Sequence, residues 1–439
     1  MFKPRFFLMA LAALMLQGPA YSQEKWSLER CITYARENNL QIKQQKLQAT
    51  QAENNLLEAQ MDYIPSLNAS INHNMSWGRS VNLNDLAIIE NDLSQSTSMN
   101  ISSSIPIFEG LQKQNRVKSS RKQIEIAYTN IEKLQDDISL SIARGYLQLL
   151  LSMELEATAL SSYNSVAAQV ERSRELVEAG SQAYGSLLEV QAQLANEKVQ
   201  LVEAQNNVKS NRLALMQLLD ISIDDFEIEV PDISHLTLEY LHADAAEIFA
   251  QAQELPAIKG AELAMEQSEL QYKIQKGAAL PTLSFSAGYG TYYSDNQKTA
   301  FFRQFDNNRN PSIGLNLSIP IFNGLRSKTA IKNSRLNMES SEIDYEITLQ
   351  NIMKEIEQAC NEANSCYRKF EAATQNALSA RETFKYTQEK FDNGMLSGTD
   401  YTVAKNNLFK AESQLLQSRF QYVFQLKVLD YYRNTPITL

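Results

Sequence analysis

At 439 residues the chain has room for two ordinary domains or one long one, and its 41 basic and 51 acidic residues leave a formal charge of −10. That balance excludes a nucleic-acid partner, which needs a clustered basic face. Beyond the N-terminus no stretch holds eighteen consecutive apolar residues, which excludes a later membrane helix.

Residues 1–22 read as a secretory signal: Lys3 and Arg5, an apolar run from Phe6 to Leu16, then Ala20-Tyr21-Ser22 with small residues at the cleavage-determining positions. A membrane anchor is the alternative, but that run makes only about 16 Å of helix against a hydrocarbon core of ~30 Å. An exported chain without a membrane helix is either soluble or a β-barrel.

Residues 23–219 form a first structural repeat. A helix is predicted over 27–62. Two strands follow, 65–77 and 96–107, in which Leu67, Ala69, Ile71, Met99, Ile101 and Ile105 alternate with Ser66, Asn68, Ser70, Ser98, Asn100 and Ser102. Their length suits tilted membrane strands. The face opposite the apolar one is almost wholly Ser, Asn, Thr and Gly, as a water-filled lumen requires, whereas hairpins on a soluble body would carry Lys and Glu there. From Pro106 to Pro231 no proline intervenes, and good helix formers predict a long helix over 110–179, a glycine-marked turn, and a return helix over 186–219. The return helix carries a seven-residue seam, Leu187, Leu194, Leu201, Val208 and Leu215, with a second row at Leu188, Ala195 and Val202. Two seams suit a ring of helices; a simple hairpin with one apolar face is the alternative.

A connector over 220–242, with Asp224, Asp225 and Pro231, lies outside this plan. A second repeat then spans 243–439: a helix over 243–279, strands 281–293 and 312–321, a long helix 324–393 and a return helix 399–433. It is a copy of the first. Ile105-Pro106-Ile107-Phe108-Glu109-Gly110 recurs 214 residues later as Ile319-Pro320-Ile321-Phe322-Asn323-Gly324, and Gly180 as Gly394. Upstream, Ile64-Pro65-Ser66-Leu67 matches Leu280-Pro281-Thr282-Leu283 at an offset of 216. The seam recurs as Tyr401, Leu408, Leu415, Tyr422 and Leu429.

The predicted lumen residues are Ser66, Asn68, Ser98, Asn100, Ser284, Ser286, Asn316 and Ser318. Pro106, Gly110, Pro320 and Gly324 mark the passage from strand to helix. Trp77, Tyr292, Tyr293, Phe301 and Phe302 cluster at the far strand ends, where an aromatic girdle would sit. Four strands cannot close a barrel, and open edges are not tolerated in lipid, so neighbouring copies are required; a dimer would give eight strands and a trimer twelve.

The paired Pro-Ile-Phe-x-Gly motifs, each after a polar–apolar strand, and the turn segments Glu178-Ala179-Gly180 and Asn393-Gly394 with Ser397-Gly398-Thr399 resemble the TolC family of outer-membrane efflux proteins. The resemblance covers the chain after the signal. It implies a mainly α protein with a transmembrane β-barrel part, a homotrimer in the cell outer membrane with a long periplasmic coiled-coil portion, passing drugs, small molecules or proteins passively. It also implies docking to a periplasmic adaptor and an inner-membrane transporter at a tip that includes Gly180, Gly185, Glu189, Gly394, Gly398 and Asp400. Where the family's best-known members carry two gating aspartates, this chain has Ala404 and Asn407; Glu189 and Asp400 are the nearby substitutes.

No constellation for catalysis, cofactor or metal is present. The histidines are His73, His235 and His242, and Cys31, Cys360 and Cys366 read as packed thiols. The structural alternative is an exported coiled-coil spacer or adhesin without a pore, which explains the heptads and leaves the uncharged strands unexplained.

Overall fold

A computed structural model describes residues 25–81, 88–222, 226–231, 243–297 and 299–439. The predicted signal, Asp224, Asp225, His235 and His242 lie outside them. The elements in order are α1 (Leu28–Asn38), α2 (Leu40–Met61), β1 (Ser66–Val81), β2 (Ile88–Phe108), α3 (Gln112–Glu178), α4 (Tyr184–Leu219), α5 (Ala245–Ala252), α6 (Pro256–Gly277), β3 (Thr282–Ser294), α7 (Phe301–Asn307), β4 (Asn310–Ser318), α8 (Arg326–Asp392) and α9 (Gly398–Tyr432).

The duplication is visible in the backbone. Helices α3 and α8 each run 67 residues, about 100 Å of helix. Left-handed residues recur 214 positions apart at Gly110 and Gly324, Leu111 and Leu325, Gly180 and Gly394, and Asp220 and Asn434. The helix predicted over 27–62 is two helices. Asn39 adopts an extended conformation, and its side-chain oxygen accepts from the amides of Gln41 (2.9 Å) and Ile42 (3.3 Å), ending one helix and starting the next. The helix predicted over 243–279 breaks 216 residues later, at Leu255, where Pro256 opens α6. Different residues thus produce the same interruption.

The chain divides into two units. One comprises Gln44–Lys133 and Leu255–Asn351 and contains a four-stranded antiparallel sheet of order β1-β2-β3-β4. The strand predicted over 312–321 runs instead from Asn310 to Ser318, and helix α7, which was not predicted, fills the β3–β4 connection. Gln304 of α7 is buried and ties that connection together: its side-chain oxygen accepts from the Ser294 amide (2.9 Å), and its amide donates to the carbonyls of Ser294 (3.0 Å) and Thr299 (2.7 Å).

The other unit comprises Met1–Lys43, Leu134–Glu254 and Ile352–Leu439. One of its cores gathers Leu28, Cys31, Tyr146, Leu150, Leu215, Phe226 and Phe420. There Trp26 bridges Ile228, and Tyr146 donates to the Glu229 carbonyl at 2.6 Å. Burial pushes the Cys31 thiol up to about 12, in keeping with a packed residue. A second core joins α3, α4, α8 and α9 through Val166, Val170, Leu187, Val190, Phe384, Phe391, Tyr401 and Leu408. Among the described residues no helix is long and apolar enough to cross a membrane.

Candidate channel-forming surfaces

Strand register decides which residues share a face, because side chains alternate along each strand. Ser66 lies opposite Ser104, Ser104 opposite Ser286, and Ser286 opposite Gly314. The next row runs Asn68, Ser102, Gly288 and Ser312. Asn100 faces Ser70 and Gly290; Ser98 faces Asn72 and Tyr292; Ser284 faces Pro106 and Asn316; and Ser318 faces Thr282. All eight predicted lumen residues therefore lie on one side of one sheet. Its other side is mainly apolar, with Ala69 opposite Ile101 opposite Tyr289 and Phe285 opposite Leu315, and carries His73 opposite Thr97 and Ser103 opposite Ala287. Leu67 (75%), Ile313 (80%) and Leu315 (69%) are largely exposed in the single chain. A contiguous exposed apolar face demands a lipid or protein cover.

The predicted aromatic cluster is divided by the sheet. Tyr293 faces Thr97 on the apolar side and stacks with Phe301 at 4.7 Å, whereas Tyr292 faces Ser98 on the polar side. Consecutive strand residues cannot share a face, so the two tyrosines cannot belong to one girdle.

At the passage from strand to helix, Gly110 is left-handed and buried, and a Cβ there would overlap the carbonyl oxygen of Gly277. Gly324 has the same conformation but meets nothing within 4 Å. Pro106 lies in β2 opposite Ser284, while Pro320 follows the end of β4. Lys113, itself buried, donates to the carbonyls of Asp62 (2.6 Å) and Pro106 (2.9 Å), linking α3 to the last turn of α2 and to β2.

At the helical turns, α3 and α8 end alike. Ser181 donates to the Leu176 carbonyl (2.8 Å) and Gly180 to that of Val177 (3.0 Å); Met395 donates to Lys390 and Gly394 to Phe391, both at 2.9 Å. These are paired C-terminal caps built around a left-handed glycine. Gly180, Gly185 and Gly394 border open space. The return helices begin differently. Ala183 offers α4 no side-chain cap, whereas Ser397 and Asp400 form a reciprocal capping box on α9. The Asp400 carboxylate is thereby engaged with Ser397 Oγ at 2.8 Å. Glu189 lies against Gly398, where an added Cβ would stand 2.5 Å from its Oε2. Ala404 packs on the tip core and Asn407 is exposed.

Sequence reading missed a polar band inside this tip. Gln193 and Glu197 of α4 are buried; the Gln193 amide donates to Glu197 Oε1 (2.7 Å) and to Asn406 Oδ1 (2.9 Å). Lys405 of α9 is also buried, its Nζ 5.0 Å from the centre of the Phe384 ring. Burial lowers its pKa, and the fields of Glu197 and Glu412 oppose that shift. Tyr401 is pushed up to about 12, first by burial and then by Asp392. Ion pairs frame the tip, Arg172 with Asp392 at 3.4 Å and Arg381 with Glu412 at 2.7 Å. The heptad seam hid these groups: Gln193 adjoins Leu194, while Glu197 and Lys405 stand three or four residues from seam positions, on the face the apolar repeat marks, where a charged side chain among good helix formers reads as solvated.

The outer membrane efflux protein family model matches residues 31–220 and 250–430. The outer membrane protein TolC of Vibrio cholerae is 21% identical over 91% of this chain and 89% of its own length, and that of Escherichia coli 21% over 94% and 83%. The fold is similar to that of the Campylobacter jejuni CmeC outer membrane channel, with a TM-score of 0.78 at 17% identity over 95% of this chain and 90% of that one. A doubled helix–hairpin–helix chain with a two-faced sheet, matched over both copies, belongs to the outer membrane efflux protein family and is an outer-membrane channel of the TolC type.

Proposed function

We propose that three copies of the chain close a twelve-stranded barrel and act as a passive exit duct, with the tip turns docking a periplasmic adaptor fed by an inner-membrane transporter. One observation carries this reading. Over residues 66–77, 94–106, 282–293 and 310–318 the sheet is mainly apolar on one side and uncharged-polar on the other, and among the described residues neither β1 nor β4 has a partner along its outer edge. In lipid an unpaired strand edge leaves amides with no water to bond, so the edges need other copies. Exposed Leu188 (48%) and Val202 (46%), the second row on α4, support a ring of helices in the same assembly. Ser66, Asn68, Ser98, Asn100, Ser284, Ser286, Asn316 and Ser318 then line water, and Pro106, Gly110, Pro320 and Gly324 mark the barrel's end. A lining of small uncharged groups passes polar cargo without holding it.

Purified protein reconstituted in planar bilayers tests this. Discrete conductance steps from a trimeric preparation support the duct. A folded monomer excluded from membranes, with no conductance in any preparation, overturns it.

A further inference from the structure

We propose that β4 of one copy pairs antiparallel with β1 of the next in a fixed register, Ser318 opposite Ser70 and Leu317 opposite Ile71, so that the contact between copies repeats the β2–β3 contact within the chain. The inference rests on barrel closure by neighbouring copies and adds which residues meet.

The two hairpins are related by the offsets of 214 downstream and 216 upstream, and their registers confirm those offsets. Ser66 opposite Ser104 in the first hairpin becomes Thr282 opposite Ser318 in the second; Asn74 opposite Ser96 becomes Gly290 opposite Asn310. The same offsets applied to the β2–β3 contact carry β2 onto β4 and β3 onto β1 of another copy. Ser104 opposite Ser286 maps to Ser318 opposite Ser70, Ser103 opposite Ala287 to Leu317 opposite Ile71, and Met99 opposite Thr291 to Ile313 opposite Met75. The mapped pairs keep polar with polar and apolar with apolar, as a two-faced sheet requires, apart from Leu315 opposite His73 and Pro320 opposite Asn68; a slip of one residue would put Leu317 on the polar side.

A second observation is independent of the mapping. Strand β2 runs on to Phe108 because Ile105, Pro106 and Phe108 pair with β3 across an irregularity at Pro106. Their counterparts Ile319, Pro320 and Phe322 have no strand partner among the described residues. Strand β4 stops at Ser318, the counterpart of Ser104, and leaves Ile321 93% and Phe322 81% exposed. The truncated strand, the bare apolar residues and the empty space beside Gly324 all fall where the mapping places β1 and the end of α2 from the next copy. There Met61 takes the place that Gly277 holds in the chain, so the contact between copies has no counterpart of the Gly110–Gly277 approach.

Cysteine pairs test the register. Directly opposed positions come within reach of a disulfide, whereas diagonal neighbours stand ~7–8 Å apart. The double variant Leu317→Cys/Ile71→Cys, oxidised in membranes, should shift from monomer to covalent oligomer on reducing-agent-free gels, and Ile313→Cys/Met75→Cys should do the same lower on the strand. The displaced pairs Leu315→Cys/Ile71→Cys and Ile319→Cys/Ile71→Cys should stay monomeric on such gels. Native chain, with its buried Cys31 and Cys360 and its half-buried Cys366, gives the background. Linking through a displaced pair, with conductance intact, overturns the register and leaves the duct standing. Absence of linking in all four variants while they still assemble as trimers does the same. Loss of assembly in native chain under reducing conditions removes the closure on which both depend.

Discussion

Gly110 and Gly277 lie back to back: a Cβ on either residue would overlap the other's carbonyl oxygen. The contact brings the left-handed turn after β2 against the last residue of α6, fixing where a strand of the first repeat hands over to a helix beside the second. Gly277→Ala should gain helix propensity of up to about 1 kcal/mol, yet the overlap, typically ~1–3 kcal/mol for overpacking, reverses the sign. Gly110→Ala adds left-handed strain of about 1–2 kcal/mol to the same overlap. Gly180→Ala, with open space around it, should lose only the strain term. Denaturant midpoints in detergent order the three variants, and equal losses at Gly110 and Gly180 would contradict the contact.

Lys113 supplies a second fastening at the same passage. Its two carbonyl acceptors come from Asp62 and Pro106, and Lys113→Met leaves both without their charged donor. A loss of roughly 1–3 kcal/mol is expected from stranding partly buried acceptors. The position 214 residues later is Ser327, which among the described residues bonds within its own turn to Asn323, so Ser327→Ala should shift the midpoint far less. A comparable shift would show that the lysine does no more than its counterpart.

Both copies of the long helix and both strand faces were legible from sequence, because each rests on a sustained period: seven over the return helices, two over the strands. What the sequence did not show depends on single contacts. Asn39 breaks a helix through its own side chain, Gln304 organises a connection that has no period, and Tyr292 and Tyr293 look like one cluster until alternation separates them. Strand β4 ends at Ser318, short of its alternating pattern, because among the described residues Ile319, Pro320 and Phe322 pair with no strand. The polar band of Gln193, Glu197 and Lys405 sits among good helix formers whose burial only packing reveals.

The start of α9 should respond to its capping box. Ser397→Ala and Asp400→Ala each remove one half of a reciprocal arrangement, and each should lose about 1 kcal/mol of local stability. Because the two act as one unit, the double variant should lose little more than either alone. Amide exchange over residues 398–401 reads this directly. If Asp400→Ala leaves that exchange unchanged while altering conductance, the carboxylate acts on the channel's field and not on the helix start.

Lys405 gives the tip a pH dependence with a definite sign. Its folded pKa is lowered, chiefly by burial, so between that value and the ordinary ~10.5 the unfolded chain binds more protons and stability rises with pH. Tyr401, raised to about 12, works the other way above pH ~10, where only the unfolded phenol ionises. Glu197 opposes the lowering, so Glu197→Gln should widen the window over which stability climbs. Glu197→Gln/Lys405→Met should abolish the climb without net loss at neutral pH, since a buried charge pair is often no better than apolar packing. Unfolding midpoints from pH 7 to 10 decide it, and a profile unmoved by Glu197→Gln would mean the two groups do not sense each other.

Consecutive residues of β4 offer the sharpest separation of the two sheet faces. Leu315 lies on the apolar side opposite Phe285, and Asn316 on the polar side opposite Ser284. An arginine facing lipid near the bilayer midplane costs ~2–4 kcal/mol, and a barrel of several copies bears that cost once per copy. Leu315→Arg should therefore lower the yield of membrane-inserted protein. Asn316→Arg, with its guanidinium in water, should insert like native chain while reducing cation conductance through added positive charge in the lumen. Fractionation and single-channel recording measure the two effects separately. The opposite pattern, with Asn316→Arg lost from the membrane and Leu315→Arg retained, would invert the assignment of the faces and with it the path of the cargo.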